Sequence, residues 1–317
     1  MKILYGINGT GNGHIVKSMN IISELRSLGH EVDMLISGNN HQLDIDVKYK
    51  FNGFSFSYNK TGSIDYLKTA TNLKPLQFIK DIRLDIKSYD KVVTDFEPVT
   101  AWACKISKKD CIGVSHQYSF LSDKVTRPDN HSLIGEFVLN KMSPVSHPIG
   151  LHFRKYDDFI LHPVIRRDIL ESKINNNGSY VVYLPSYSAK RIIHELDRYP
   201  NEFFVFTKEV KNNLKIKNIN LCPSSVESFM KRFVNCKGVI TSAGFETPSE
   251  ALYLKKDLLV IPIEGQYEQL CNAESLKEMG VPVGKDITDI RSIFESNHVK
   301  DYEWDNPMNT IMSKILS

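Results

Sequence analysis

The sequence predicts an α/β protein built as two doubly wound parallel-sheet domains facing a cleft, and three observations predict it. Strand-length apolar runs alternate with segments of helical periodicity. The alternation weakens over about 121–157, where Pro128, Pro144 and Pro148 interrupt it, and a second series begins at Ser179–Leu184. The first strand runs into a glycine-rich turn, Gly9-Thr-Gly-Asn-Gly-His14, that opens a helix. At 317 residues, 41% of them hydrophobic and 24% charged, the chain can bury two cores of ordinary size.

In the first half, short apolar runs predict strands near 2–7, 31–37, 51–57, 90–94 and 111–115. Helices are expected near 14–28, 75–88 and 97–107. Ile15, Met19, Ile22 and Leu25 share one face of the first, and Pro75–Lys87 keeps an apolar stripe. The inter-domain connection is placed at about 155–165. Strands then follow near 179–184, 203–206, 238–241 and 258–261, with helices near 188–197, 224–234, 247–255 and 266–278. This divides the chain into domains 1–160 and 161–303, with a closing helix in 304–317 expected to pack back on the first. Ligands of such sheets bind beyond the carboxyl ends of the strands. The site should therefore come from loops 8–14, 95–98, 115–119, 184–190, 241–250 and 262–269.

A net charge of +3 gives no signal for nucleic acid, and Lys105, Lys108 and Lys109 read as a solvated face. The five cysteines, none in a CxxC pair, read as reduced and buried thiols. The apolar run at Met1–Gly6 is too short for a signal peptide, and no stretch reaches the roughly 18 apolar residues of a span, so a cytoplasmic protein is expected.

The opening loop departs from the dinucleotide fingerprint. Its third glycine is replaced by His14, and the second strand ends in Ser37-Gly-Asn-Asn without the acid that would bind a ribose. No Gly-Lys-[Ser/Thr] follows, so the P-loop pattern fails too. What remains is a close backbone turn with an imidazole at a helix start, pointing into the cleft or else capping and packing.

The second half is more specific. The strand at 238–241 ends in Ser242-Ala-Gly244, and Thr247-Pro248-Ser249-Glu250 reads as a helix entry with proline first and a T-x-x-E capping box. Such an end suits an anion such as a diphosphate. The loop after Pro262 brings Glu264, Gln266, Glu268 and Gln269 alongside, side chains suited to sugar hydroxyls. Glu250 as a helix cap, and the Glu/Gln cluster as a solvated helix start, are the alternatives.

The stretch S-A-G-F-E-T-P-S-E-A-L…P-x-x-G-Q-x-E-Q-x-x-N-A resembles the donor-binding region of GT-B glycosyltransferases of the family 28 and family 1-like type, such as the N-acetylglucosaminyltransferase of lipid II synthesis. The opening loop resembles their G-G-T-G-G-H turn, and Val114–Gln117 and His162–Arg167 resemble two further segments. The resemblance implies two Rossmann-like domains, the first binding an acceptor and the second a nucleotide sugar. It implies an inverting, metal-independent transfer of a hexose, UDP-linked, to an acceptor hydroxyl, with no cofactor beyond the nucleotide sugar. The acceptor would be a sugar, a lipid-linked molecule or another small molecule, with a role in cell-envelope polysaccharide or glycolipid synthesis. Glu250 would bind the ribose, and Glu268 and Gln269 the hexose, where the family often has two glutamines. Ser186 would meet a phosphate in a turn whose glycines are replaced by Leu184 and Pro185, with Arg166 nearby. Ser242, Gly244, Phe245, Glu246, Thr247 and Gln266 complete the donor site, and Gly9, Gly11, Gly13 and His116 would face the acceptor.

Such a reaction needs a base within reach of the attacking hydroxyl and neutralisation of the leaving diphosphate. His14 is the leading base, with Asp95 and Glu97 as rivals or orienters. Retaining relatives carry a second glutamate eight positions before the first, where this chain has Ser242, so inversion is favoured. Asp44-Ile-Asp46 matches a metal-binding D-x-D but falls outside the expected cleft. A nucleotide-sugar 2-epimerase or hydrolase, or a non-catalytic binder, would share the architecture. The stretches 58–74 and 131–143 lie in the acceptor domain. The second reads as core packing or as an amphipathic helix that could meet a membrane-held acceptor.

Overall fold

The structure, a computed structural model, describes residues 1–38, 46–53, 74–295, 302 and 304–317. In chain order the first half contains β1 (Lys2–Asn8), α1 (Asn12–Ser27), β2 (Glu31–Ser37), β3 (Tyr49–Phe51), α2 (Pro75–Asp81), β4 (Lys91–Asp95) and α3 (Pro98–Ser107). It continues through β5 (Ile112–Ser115), a 3-10 turn (Gln117–Leu121), α4 (Leu133–Lys141), β6 (His147–Leu151) and β7 (Ile160–Leu161). These strands form one parallel sheet in the order β3-β2-β1-β4-β5-β6-β7. From Ile3 to Asn8 every residue of β1 is buried, as a central strand covered on both faces requires.

The second half contains α5 (Arg167–Leu170), β8 (Tyr180–Tyr183), α6 (Ala189–Leu196), β9 (Phe203–Thr207), β10 (Leu214–Ile216), β11 (Ile219–Pro223) and α7 (Val226–Asn235). Then come β12 (Gly238–Thr241), α8 (Glu246–Tyr253), β13 (Asp257–Val260), α9 (Tyr267–Glu278), α10 (Ser292–Glu295) and α11 (Met308–Leu316). Its sheet runs β10-β11-β9-β8-β12-β13, parallel except for the β10–β11 pair. In each sheet the order reverses beside the first strand, between β1 and β4 and between β8 and β12. The ends of β1, β4 and β12 therefore open onto the crevices where ligands of this architecture bind.

Several expectations change. The strand expected at 51–57 is β3 at Tyr49–Phe51; 54–57 lie outside the described residues, as do 58–73 and Asp44. The helix expected over 75–88 stops at Asp81, where Arg83 and Leu84 N–H groups bond back to Lys80 and Asp81 carbonyls. Ile82 and Ile86 then enter the core from an irregular segment, which is why the apolar stripe outlasts the helix. The connection expected at 155–165 contains β7, which extends the first sheet to Leu161. The segment 131–143 holds α4, with Leu139 buried and Leu133, Ile134 and Phe137 exposed. All five cysteines are free and buried. Among the described residues no helix is long and apolar enough to cross a membrane. The closing helix α11 lies against α1 and β4 and buries Ile311, Met312 and Ile315.

Candidate active site

β4 ends at Asp95, and the next residue, Phe96, adopts a left-handed φ of 54°. A side chain there costs about 1–2 kcal/mol, and such strain concentrates at functional sites. The turn leaves Asp95 facing one side of α1. It is met by His14, Lys17 and Ser18, the i, i+3 and i+4 positions of that helix. His14 Nδ1 and Lys17 Nζ each stand 3.0 Å from Asp95 Oδ1, and Ser18 Oγ donates to Oδ2 at 3.0 Å. Burial alone would raise the Asp95 carboxyl, but Lys17 and His14 outweigh it and hold it well below the usual carboxylate range. An ionised Asp95 can only accept, so His14 Nδ1–H donates to it and the lone pair of the neutral imidazole sits on Nε2. Gln117 Nε2 lies 3.4 Å from that nitrogen and also donates to Glu268 of the second domain at 2.9 Å.

Two cavities meet at this imidazole. One, of about 220 Å³, lies on the first-domain side, with Phe96, the α4 residues Ile134 and Val138, and Met142 just past that helix forming an apolar wall. The other, of about 230 Å³, is lined by Lys17, Ser242, Gly244, Glu246 and Thr247. His14, Gln117 and Glu268 line both. A group held in one cavity can thus reach a molecule held in the other across His14.

The expected donor residues Ser242, Gly244, Phe245, Glu246, Thr247 and Glu268 come together on the second cavity, and Gln266 on the first. The helix entry differs from the sequence expectation. α8 begins at Glu246, Pro248 is its third residue, and no side chain caps it, so the T-x-x-E box does not form. Phe245 immediately precedes the helix, and its ring stacks on His116, 3.9 Å between centroids. Glu250, freed from capping, forms a bidentate pair with Arg166, whose Nη2 donates at 2.9 Å. Neither residue lines the cavities, and Ser186 lies outside them in the turn after β8. Burial pushes the Glu250 carboxyl up to about 7 against the pull of Arg166. Gln269 braces its own loop, accepting from Ile263 N–H at 3.0 Å and donating to Gln266 at 2.8 Å.

Glu97 is not placed for catalysis. It is the N-cap of α3, accepting from Val99 N–H at 2.7 Å and Thr100 N–H at 2.6 Å, with Ser37 Oγ on the same carboxylate. Fully buried, it is a fixed anchor rather than a proton carrier. His116 is also displaced from its expected acceptor role. It lines the second cavity and is buried between the domains, with Nδ1 2.8 Å from Leu151 O and Nε2 2.7 Å from Asn272 Oδ1. Of the loop glycines, Gly11 lines the first cavity. Gly9 instead packs against β2, where a Cβ would stand 2.8 Å from Ser37 O, and Gly13 faces Glu246. Lys17 was not among the expected residues.

The family model described as glycosyl transferase family 1 matches residues 1–302. The chain belongs to that family. This glycosyltransferase is also similar in structure to SnogD from Streptomyces nogalater, a glycosyltransferase, at 13% identity and a TM-score of 0.55 over 100% of this chain and 95% of that one. The spinosyn forosaminyltransferase SpnP matches at 13% identity and 0.59, and Arabidopsis thaliana UGT89C1 at 9% and 0.58, each over 100% of both chains. At such identities the likeness speaks for the fold, which is GT-B. It does not show the narrower likeness to lipid II-forming enzymes. A search of curated proteins by sequence found no match.

Proposed function

We propose that this glycosyltransferase moves a hexose from a nucleotide sugar, UDP-linked, to a hydroxyl of an acceptor with an apolar part, with inversion and without a metal. The observation that carries the reading is the position of His14: backed by Asp95, it sits where the two cavities meet. The donor occupies the cavity beside α8, and the acceptor occupies the apolar-walled cavity beside α4. His14 Nε2 takes the acceptor proton as the oxygen attacks the anomeric carbon, and Asp95 stabilises the imidazolium that forms. A single displacement inverts that carbon. UGT89C1 was solved with UDP, and the spinosyn rhamnosyltransferase SpnG, similar in structure at 11% identity and a TM-score of 0.58, with thymidine diphosphate, which supports a nucleoside diphosphate leaving group.

The test is a mass-spectrometric screen of UDP-, GDP- and dTDP-sugars against a library of alcohols and phenols. A glycosylated acceptor is expected, with His14→Ala lowering kcat by roughly 10²–10⁴-fold and leaving UDP affinity within about threefold. Full turnover by that variant would refute the assignment of the base. Turnover to an altered free hexose, without transfer, would favour the epimerase.

A further inference from the structure

Lys17 is an ammonium buried to 1% side-chain exposure in a protein that could have placed any apolar residue there. One carboxylate, Asp95 at 3.0 Å, already neutralises it. A second reaches it from the opposite domain: Glu246, first residue of α8, stands 3.7 Å away. The Glu246 side chain crosses the cleft over Gly13, where a Cβ would approach its Cγ to 2.9 Å. Gly13 is therefore open so that the two domains can join at this ion pair.

The pair lies in the wall of the donor-side cavity. Among the described residues lining that cavity, Lys17 is the one lysine or arginine, while Glu246 and Glu268 both bring carboxylates. Arg166, the other expected cation, has its carboxylate partner Glu250 outside the cavity. A diphosphate entering the cavity adds negative charge to this acidic lining, and that is costly unless a cation faces it. Burial raises the Glu246 carboxyl against the pull of Lys17.

We propose that Lys17 is the cation that binds the diphosphate of the donor, and that Glu246 holds its place across the cleft until the donor displaces it. The inference rests on the nucleotide-sugar reading above and adds a residue to it. In the reaction the bond from acceptor oxygen to anomeric carbon forms and the bond from that carbon to the phosphate oxygen breaks. The electron pair stays on the diphosphate, the hydroxyl proton goes to His14, and Lys17 faces the charge that accumulates on the leaving group.

The experiment compares uridine with UDP, and the guanosine and thymidine pairs likewise, by calorimetric titration of the full chain. In the wild type the diphosphate should tighten binding over the nucleoside. Lys17→Gln should remove roughly 10- to 100-fold of that gain, the loss of one charge-assisted contact, with nucleoside binding unchanged. Lys17→Arg should restore most of it. Glu246→Gln should act in the opposite sense and tighten UDP alone, which keeps the test decisive if Lys17→Gln folds poorly. Ratios unmoved by both Lys17→Gln and Glu246→Gln would overturn the role of Lys17 while leaving the donor reading intact. Binding of no nucleotide by the wild type would remove both.

Discussion

Glu97 and Glu250 show how alike two buried glutamates look in a sequence and how differently they are used. In the sequence both read as lying between a strand and the entry of a helix, so either reads as site residue or cap; in the structure Glu97 is an N-cap and Glu250 is the fifth residue of α8. The hydrogen bonds decide: Glu97 spends both oxygens on α3 and β2, whereas Glu250 pairs with Arg166. The His14–Asp95 dyad was legible because both residues fall where strand ends must meet a ligand. Lys17 was not, because its partners Asp95 and Glu246 come from β4 and α8, far away in sequence. Glu250 carries a pH signature. Its carboxyl stands at about 7 when folded, above the usual value near 4.5, so the folded chain binds the extra proton between those values. Stability from this group is complete below about pH 4.5 and is lost as pH rises through 7. Relative to Glu250→Gln, the wild type should therefore lose up to roughly 3 kcal/mol in urea unfolding between pH 4.5 and 7.5. A constant difference across that range would show that Glu250 remains ionised throughout.

Elements with strong periodicity or central position fell close to expectation: β1, α1, β2, β4 and the four parallel strands β8, β9, β12 and β13. The edge strands β7 and β10 and their neighbours β6 and β11 did not: β7 and β10 have only two and three residues, too few for a pattern, and β6 and β11 each carry a proline that reads against a strand. The entry of α4 is fixed by Ser132, which accepts from Gly135 N–H at 3.0 Å, and its inner face walls the first cavity, the one proposed for the acceptor. Gly135 itself is pressed against the other domain: a Cβ there would stand 2.4 Å from the Tyr267 ring. Tyr267 also donates to Glu136 at 2.6 Å, and Arg127 holds that carboxylate at 3.0 Å. Gly135→Ala must move helix or ring. It is expected to cost about 1–3 kcal/mol by overpacking and, on the proposed function, to raise the acceptor KM several-fold with UDP affinity unchanged. Unaltered urea stability would mean that α4 yields freely and does not define the cavity.

At the scale of the molecule, the two sheets are joined by a seam as much as by a connection. α9 lies along it: Glu268 meets Gln117, Asn272 meets His116, and Glu278 meets Tyr156 and Arg154. At its centre are two imidazoles, His116 and His152, 5.2 Å apart in a cluster with Phe120, Phe153, Tyr156 and Phe245. His116 has acceptors at both ring nitrogens, whereas among the described residues neither nitrogen of His152 has a hydrogen-bond partner. Burial, with His116, Arg127 and Arg154 nearby, drives the His152 imidazole well below its usual range and keeps it neutral. Its folded pKa lies below its unfolded one, so the unfolded chain binds more protons below about pH 6.5 and acid destabilises the seam. The sequence offered no sign of this, since His152 reads as one polar residue in an irregular stretch. Replacing it by phenylalanine breaks no hydrogen bond and removes a polar ring from an aromatic cluster. His152→Phe should raise the urea midpoint at pH 7.5, by the equivalent of about 1–2 kcal/mol. The margin should widen on acidification to pH 5.5, where the wild type alone must keep this imidazole from charging. A variant less stable than the wild type at both pH values would mean that the ring nitrogens do engage the seam, and that this histidine holds the two domains together.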